Sequence, residues 1–340
     1  MPGPGLRELT RATSPPMPSA STLAHTAAGA VPNAAAAPFA ARLWAYQRER
    51  FPLAAYGPLM ATATVAAATW SRAARGLAGT PPVGVVLAGL AAAVAAFFIL
   101  RVADEHKDAE VDRIGRPELP VPRGLVSLAE LRMAGIVAGL LAVAANLLAA
   151  PRLLWMLAPV AGWMALMTRE FFAREWLRAR PGAYLASHMA VLPLLLAYLS
   201  AVDWLAADAR PPRALPLLLA ASFAAGVVVE VGRKVRAPEQ ERPGVETYTG
   251  AWGIRASTHV WLGALVASAV ACALALRAAD AGWLSIAPLA LLPLAAIPAL
   301  RFSRVPSAVG AKRIDLTSGV WTLALYALLG GGAAIARVLP

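Results

Sequence analysis

Between Arg101 and Arg113 the chain reads RVADEHKDAEVDR, with Asp104, Glu105, Asp108, Glu110 and Asp112 set among Arg101, Lys107 and Arg113. Asp104, Asp108 and Asp112 recur every four residues, so one continuous helix would carry them along a slowly drifting face. Carboxylates this close repel one another unless a cation sits among them, and hard oxygen ligands suit Mg²⁺ or Ca²⁺. Mg²⁺ is commonly held by one or two carboxylates together with substrate phosphates. An isolated acidic stretch is more often only a solvated helix end. A second mixed segment weighs against that bland reading. Residues 227–253, VVVEVGRKVRAPEQERPGVETYTGAWG, interleave Glu230, Glu239, Glu241 and Glu246 with Arg233, Lys234, Arg236 and Arg242. If the two segments meet, they make a site for a metal-bridged diphosphate. The metal neutralises charge, and Lys and Arg take the remaining oxygens.

Each segment follows directly on a long apolar run, so the elements that must position it are membrane helices. The chain is 59% hydrophobic and 15% charged, against about 45–50% and about 25% in soluble domains. Nine apolar spans are expected, approximately 53–71, 82–100, 133–150, 153–168, 183–202, 214–232, 257–276, 283–300 and 318–336. Each is near the ~20 residues that cross a bilayer, the fourth being the shortest. The expectation is an all-α integral membrane fold, nine transmembrane helices in a bundle around a central apolar cavity.

The N-terminus and the loops after spans 2, 4, 6 and 8 carry 24 of the 31 Lys and Arg, and the opposite loops carry 7. The positive-inside rule therefore places the first set, and both acidic segments, on the cytoplasmic side of an inner membrane. The net charge of +12 punctuates apolar spans rather than forming one patch, which argues against nucleic acid as a partner. The single cysteine, Cys272, excludes an internal disulfide framework and a Cys-based zinc site. Residues 1–41, rich in Pro and Ala, read as a disordered tail without the pattern of a signal peptide. Arg7 and Arg11 with few acids would also suit a transit peptide. The bundle domain occupies 42–340, opening on RLWAYQRERFP at 42–52, an amphipathic lead-in with Trp44 and Tyr46 as interfacial anchors.

The pairing of R-x-x-D-E-x-x-D-x-x-x-D at Arg101–Asp112 with Lys234 and the Gly244–Tyr248 run GVETY resembles the UbiA superfamily of intramembrane prenyltransferases. The likeness extends over about 42–336. Asp104 stands at that family's Asn position, Glu105 at its first Asp, and Asp108 and Asp112 at the next two. Leu119 stands where the family often has Arg, and Glu230, Glu239 and Glu241 replace the Asp residues of its second motif. Thr247 and Gly253 match its common Thr and Gly. The departures suggest an outlying branch.

The resemblance implies Mg²⁺-dependent transfer of an isoprenoid chain from a prenyl diphosphate to a lipid-soluble acceptor, aromatic or a quinone precursor, within membrane lipid. It also admits an intramembrane terpene cyclase that needs no acceptor. Asp104, Glu105, Asp108 and Asp112 are expected to be catalytic. Metal ligation is expected from those four with Glu230, Glu239 and Glu241, and diphosphate binding from Arg101, Lys107, Arg233 and Lys234. A cation transporter is a distant third reading, because transporters place ligands near the bilayer midplane and no span here carries a central carboxylate. The loop at Glu170, Arg174 and Glu175 reads first as an interfacial helix anchored by Trp176, and second as a lid. Asn146 and His188, polar within apolar spans, are expected to face the bundle interior and make interhelical hydrogen bonds.

Overall fold

The structure is a computed structural model that describes residues 37–242 and 244–336. The expected tail lies outside the described residues as far as residue 36. Among the described residues every regular element is helical. In chain order they are α1 Phe39–Arg50, α2 Leu53–Ala74, α3 Val83–Lys107, α4 Ala109–Gly115, α5 Leu128–Ala149, α6 Leu154–Thr168 and α7 Arg174–Arg178. Then follow α8 Pro181–Met189, α9 Val191–Trp204, α10 Leu215–Arg233, α11 Tyr248–Ala278, α12 Ile286–Arg304, α13 Ala308–Ala327 and α14 Ala333–Ala336.

Among the described residues seven helical stretches are long and apolar enough to cross a bilayer, or eight if α1 and α2, bent by 72°, count as one broken span. The chain is thus an integral membrane protein. A helix occupies each of the nine expected intervals, yet nine spans do not follow from length and hydropathy alone. The 15 residues of α6 extend only about 22 Å at the helical rise, short of the ~30 Å hydrocarbon core.

Local chemistry sets the boundaries. α3 starts after Pro81-Pro82, where a fixed φ suits a first turn and no amide is wasted. α5 opens on a capping box: Ser127 Oγ accepts from the Glu130 amide at 3.2 Å, and Glu130 Oε2 accepts from the Ser127 amide at 2.8 Å. α11 begins at Thr247, whose side chain accepts from the Gly250 amide. It is then interrupted at Gly253 (φ 79°, ψ 165°), a conformation that only glycine adopts freely.

Polar pins tie the helices together. Tyr198 donates to Asn146 Oδ1 at 2.8 Å, joining α9 to α5 as the interhelical bond expected of Asn146. Trp70 Nε1 donates to the Ala275 carbonyl at 2.8 Å, and Trp261 Nε1 to Ser318 Oγ at 3.0 Å. Such bonds in a dry bundle are worth roughly 0.6–2 kcal/mol each.

The loops alternate between two ends. At one end Arg50 meets Glu105 at 2.7 Å, Lys107 pairs with Glu170, Lys234 lies 6.0 Å from the Tyr184 ring, and the Ala308 amide donates to Glu239 at 3.0 Å. These contacts gather α1 with the segments that follow α3, α6, α10 and α12. At the other end Arg75 and Arg72 reach Asp203 at 2.9 and 3.3 Å, and Arg152 pairs with Asp208. Among the described residues, which leave out Arg7, Arg11 and Arg337, Lys and Arg therefore divide 22 to 6 between the two ends of the bundle.

Candidate active site

A chamber of about 310 Å³ opens at the basic end of the bundle, bounded mainly by α2, α3, α9, α10 and α13. Its walls are apolar, with Leu59, Phe97, Leu192 and Leu196 among them. Charge is confined to its mouth. Arg101 and Asp104 of α3 stand there with Glu230 and Arg233 of α10, so the two mixed segments, about 130 residues apart in sequence, converge on one cavity.

The two walls of the mouth differ in sign. On α3, Asp104 is exposed and lies 3.9 Å from Arg101. Asp108, also exposed, stands one helical turn on, and its charge acts on Asp104. On α10 the acid is spoken for. Glu230 Oε2 accepts from Arg233 Nε at 2.5 Å and Oε1 pairs with Lys234 Nζ at 3.0 Å. Glu230 is buried, whereas the side chains of Arg233 and Lys234 remain partly open. Lys234 Nζ also sits 5.6 Å from the Tyr248 ring centroid. An acidic wall thus faces a basic wall whose cations are held by one buried carboxylate.

Several expected ligands are placed elsewhere. Glu105 is 3% exposed and points away from the chamber, accepting from Arg50 Nε at 2.7 Å and from the Tyr46 hydroxyl at 3.3 Å. Tyr46 is fully buried there rather than anchoring at the interface, while Trp44 is exposed as expected. Asp112 is buried between Arg50 at 3.9 Å and Arg116 at 3.6 Å. The cause is a break at Asp108 (φ −95°, ψ 1°), where ψ leaves the helical value and the four-residue acidic face is not continued. The fifth acid, Glu110, is exposed and bonded to Arg113 at 2.6 Å, which holds its carboxyl below the usual carboxylate range. Glu239 caps the start of α13 through the Ala308 amide. Glu241 accepts from Thr247 Oγ1 at 2.7 Å and Thr249 Oγ1 at 2.8 Å, stapling the turn into α11. None of Glu105, Asp112, Glu239 and Glu241 lines the chamber. Lys107, expected at the diphosphate, is also off the lining and pairs with Glu170 instead, whereas Asp108 and Lys234 are off it but stand one helical turn from Asp104 and next to Arg233.

The loop after α6 contributes more than its sequence suggests. Glu170 is buried and pairs with Lys107 and, at 3.4 Å, with Arg174 Nε. Glu170, Phe171 and Phe172 all take left-handed φ values of 46°, 53° and 56°, a run that costs about 1–3 kcal/mol per residue and needs enforcing contacts. Those contacts are the Lys107 pair and Phe171, which sits edge-on to Trp163 and His188 at 5.1 and 5.9 Å. His188 lines the chamber, stacks on Tyr184 at 3.9 Å and bonds the Tyr184 carbonyl through Nδ1 at 2.9 Å. A Glu in an Arg-rich loop, and a Tyr and His four residues apart, were the available sequence signals. Trp176 and Arg180 of the same loop remain outside as an interfacial pair, with the guanidinium 4.8 Å from the ring.

The fold is similar to a solved structure of a digeranylgeranylglyceryl phosphate synthase in membranes, with a TM-score of 0.56 over 86% of this chain and 99% of that one at 13% identity. No protein-family model and no curated protein sequence matches the chain. At that identity the likeness is one of fold, an all-helical membrane bundle.

Proposed function

We propose that the chain is a Mg²⁺-dependent intramembrane prenyltransferase that moves an isoprenoid chain from a prenyl diphosphate to a lipid-soluble acceptor. One observation carries this reading: Arg101 and Asp104 of α3 and Glu230 and Arg233 of α10 ring the mouth of a single apolar chamber. A charged ring at the end of a greasy cavity matches a molecule with a diphosphate head and a hydrocarbon tail.

The donor set fits a metal shared with substrate. Among the described residues no three or more His, Cys, Asp or Glu side chains gather into a metal cage, so a cation would draw further oxygens from a diphosphate. Asp104 and Asp108 are the protein's share, within the one or two carboxylates that Mg²⁺ commonly takes from a protein. A bound Mg²⁺ supplies neutralisation of the charge that builds on the leaving diphosphate. Arg233 and Lys234 take the oxygens on the facing side, and Glu230 fixes where they stand. Arg101 completes the ring. Allylic diphosphates lose pyrophosphate readily once its negative charge is stabilised, so this electrostatic grip is the main catalytic term. The chamber walls exclude water from the allylic cation until the acceptor reaches it. Glu105, Asp112, Glu239 and Glu241 hold the surrounding segments in place. The mouth opens to the cytoplasm, since its end of the bundle is the basic one.

Membranes containing the protein, supplied with prenyl diphosphates and with or without extracts of lipid-soluble acceptors, test this by mass spectrometry of the products. A prenylated acceptor that requires Mg²⁺ is expected. Hydrocarbon or alcohol released without acceptor would reassign the chain as a cyclase of the same substrates, and intact diphosphate under every condition would refute both.

A further inference from the structure

The deep end of the chamber, opposite the charged mouth, has its own chemistry. Ser222 of α10 and Thr322 and Tyr326 of α13 line it, all at most 8% exposed. The Tyr326 hydroxyl lies 3.4 Å from Ser222 Oγ, and Thr322 Oγ1 is buried with no hydrogen-bond partner. α13 starts at the mouth end of the bundle, and helical side chains lean toward the N-terminus. The Tyr326 ring therefore rises toward the mouth and closes the cavity from below. No charged residue lies at this level: Arg101, Asp104, His188, Glu230 and Arg233, the titratable residues besides tyrosine that line the chamber, belong to its upper part.

The helices give the depth. Ser222 is eight residues below Glu230 on α10, and Ala93, the deepest lining residue of α3, is eleven residues below Asp104. At the helical rise these offsets are about 12 and about 16 Å. An extended hydrocarbon advances about 1.25 Å per bond of ~1.5 Å, so the chamber takes about 10 to 13 main-chain carbons beneath the diphosphate. An isoprene unit contributes four. A fourth unit would have to displace the Tyr326 ring and cover three hydroxyls with hydrocarbon, which strips them of any chance of hydration.

We propose that Ser222, Thr322 and Tyr326 form a polar floor that limits the prenyl chain to three isoprene units. The inference rests on the prenyl diphosphate reading and specifies the substrate of that same site. Tyr326 and its two neighbours are specificity-determining residues, remote from the bond that breaks.

Binding tests this without knowledge of the acceptor. Prenyl thiolodiphosphates of one to four isoprene units, whose sulfur bridge resists cleavage, are titrated into the purified full-length protein with Mg²⁺. Affinity is expected to rise about tenfold or more per unit up to three, as buried hydrocarbon accumulates, and then to fall at four. Tyr326→Ala moves the optimum to four units, and Ala63→Leu, which fills the chamber from α2, moves it to two. The two variants act in opposite directions, so a general loss of folding cannot imitate the pattern. Affinity that keeps climbing at four units in the wild type, or an optimum that neither variant moves, overturns the floor and leaves the prenyl diphosphate reading standing. No binding at any length overturns that reading, and the floor with it.

Discussion

Asp104 and Glu105 are adjacent in sequence and opposite in surroundings. Asp104 stands open at the chamber mouth, whereas Glu105 is buried against Arg50 and Tyr46. Asp104→Asn should lower turnover about 100-fold or more, the scale of losing several kcal/mol of charge stabilisation, while the melting temperature in detergent stays close to the wild type. Glu105→Ala should do the reverse. It leaves Arg50, whose side chain is only 18% exposed, with the more distant Asp112 at 3.9 Å as its remaining carboxylate, and losing the short buried bond costs about 1–3 kcal/mol. Parallel activity and thermal-unfolding measurements check both; equal losses of activity with unchanged melting would return Glu105 to the metal site. The sequence showed the acids but not which way each faced. A spacing of four puts residues on one face only while the helix continues, and the break at Asp108 is a matter of backbone angles that the spacing does not encode. Glu230 was legible as an acid of the second mixed segment, but not its bonds to Arg233 and Lys234, three and four residues on, which hold two cations at the chamber mouth.

At the scale of elements, packing depends on residues too small to attract notice in a sequence. Gly330, in the π-helical turn Leu328–Gly332 that follows α13, lies so close to α2 that an added Cβ would sit 2.7 Å from Ala66 Cα. The obstacle is backbone, so it cannot rotate away. Gly330→Ala is expected to destabilise the protein by about 1–3 kcal/mol through overpacking, measured as a lower melting temperature in detergent. Gly331→Ala, with open space around its Cβ position, is the control and should change little beyond the helix's own preferences. An unaffected Gly330→Ala would mean that α2 and the turn after α13 do not meet as described. Helix positions themselves were legible from runs of Leu, Ala and Val, because burial in lipid or protein demands apolar side chains throughout. Contacts such as this one, and the left-handed turn at Glu170–Phe172, arise from tertiary packing and leave no periodic trace.

The whole molecule is polar in its architecture: basic loops and the chamber mouth share one end, and Asp203 with its arginines pins the other. The alternation of Lys and Arg along the sequence anticipated this arrangement, since a loop's charge survives whatever its neighbours do. Cys272 is fully buried, so the native chain is a silent background for cysteine labelling. A membrane-impermeant maleimide applied to sealed vesicles should label Glu118→Cys only from the cytoplasmic side and Ala207→Cys only from the other, both positions being exposed in loops at opposite ends. The reverse pattern would invert the protein in the membrane. The convergence of α3 and α10 was inferred from two mixed segments of like placement; the opposite charge of their two walls was not, because both sequences contain acids and bases in similar number.

That division of labour makes the most direct demand on the protein. The affinity of a three-unit prenyl thiolodiphosphate should be measured by titration calorimetry with and without Mg²⁺, in the wild type, Asp104→Asn and Lys234→Met. The wild type should bind more tightly with Mg²⁺, Asp104→Asn should lose that dependence, and Lys234→Met should bind weakly while keeping it. If Asp104→Asn retains the full effect of Mg²⁺, or Lys234→Met binds like the wild type, the two walls do not close on one diphosphate.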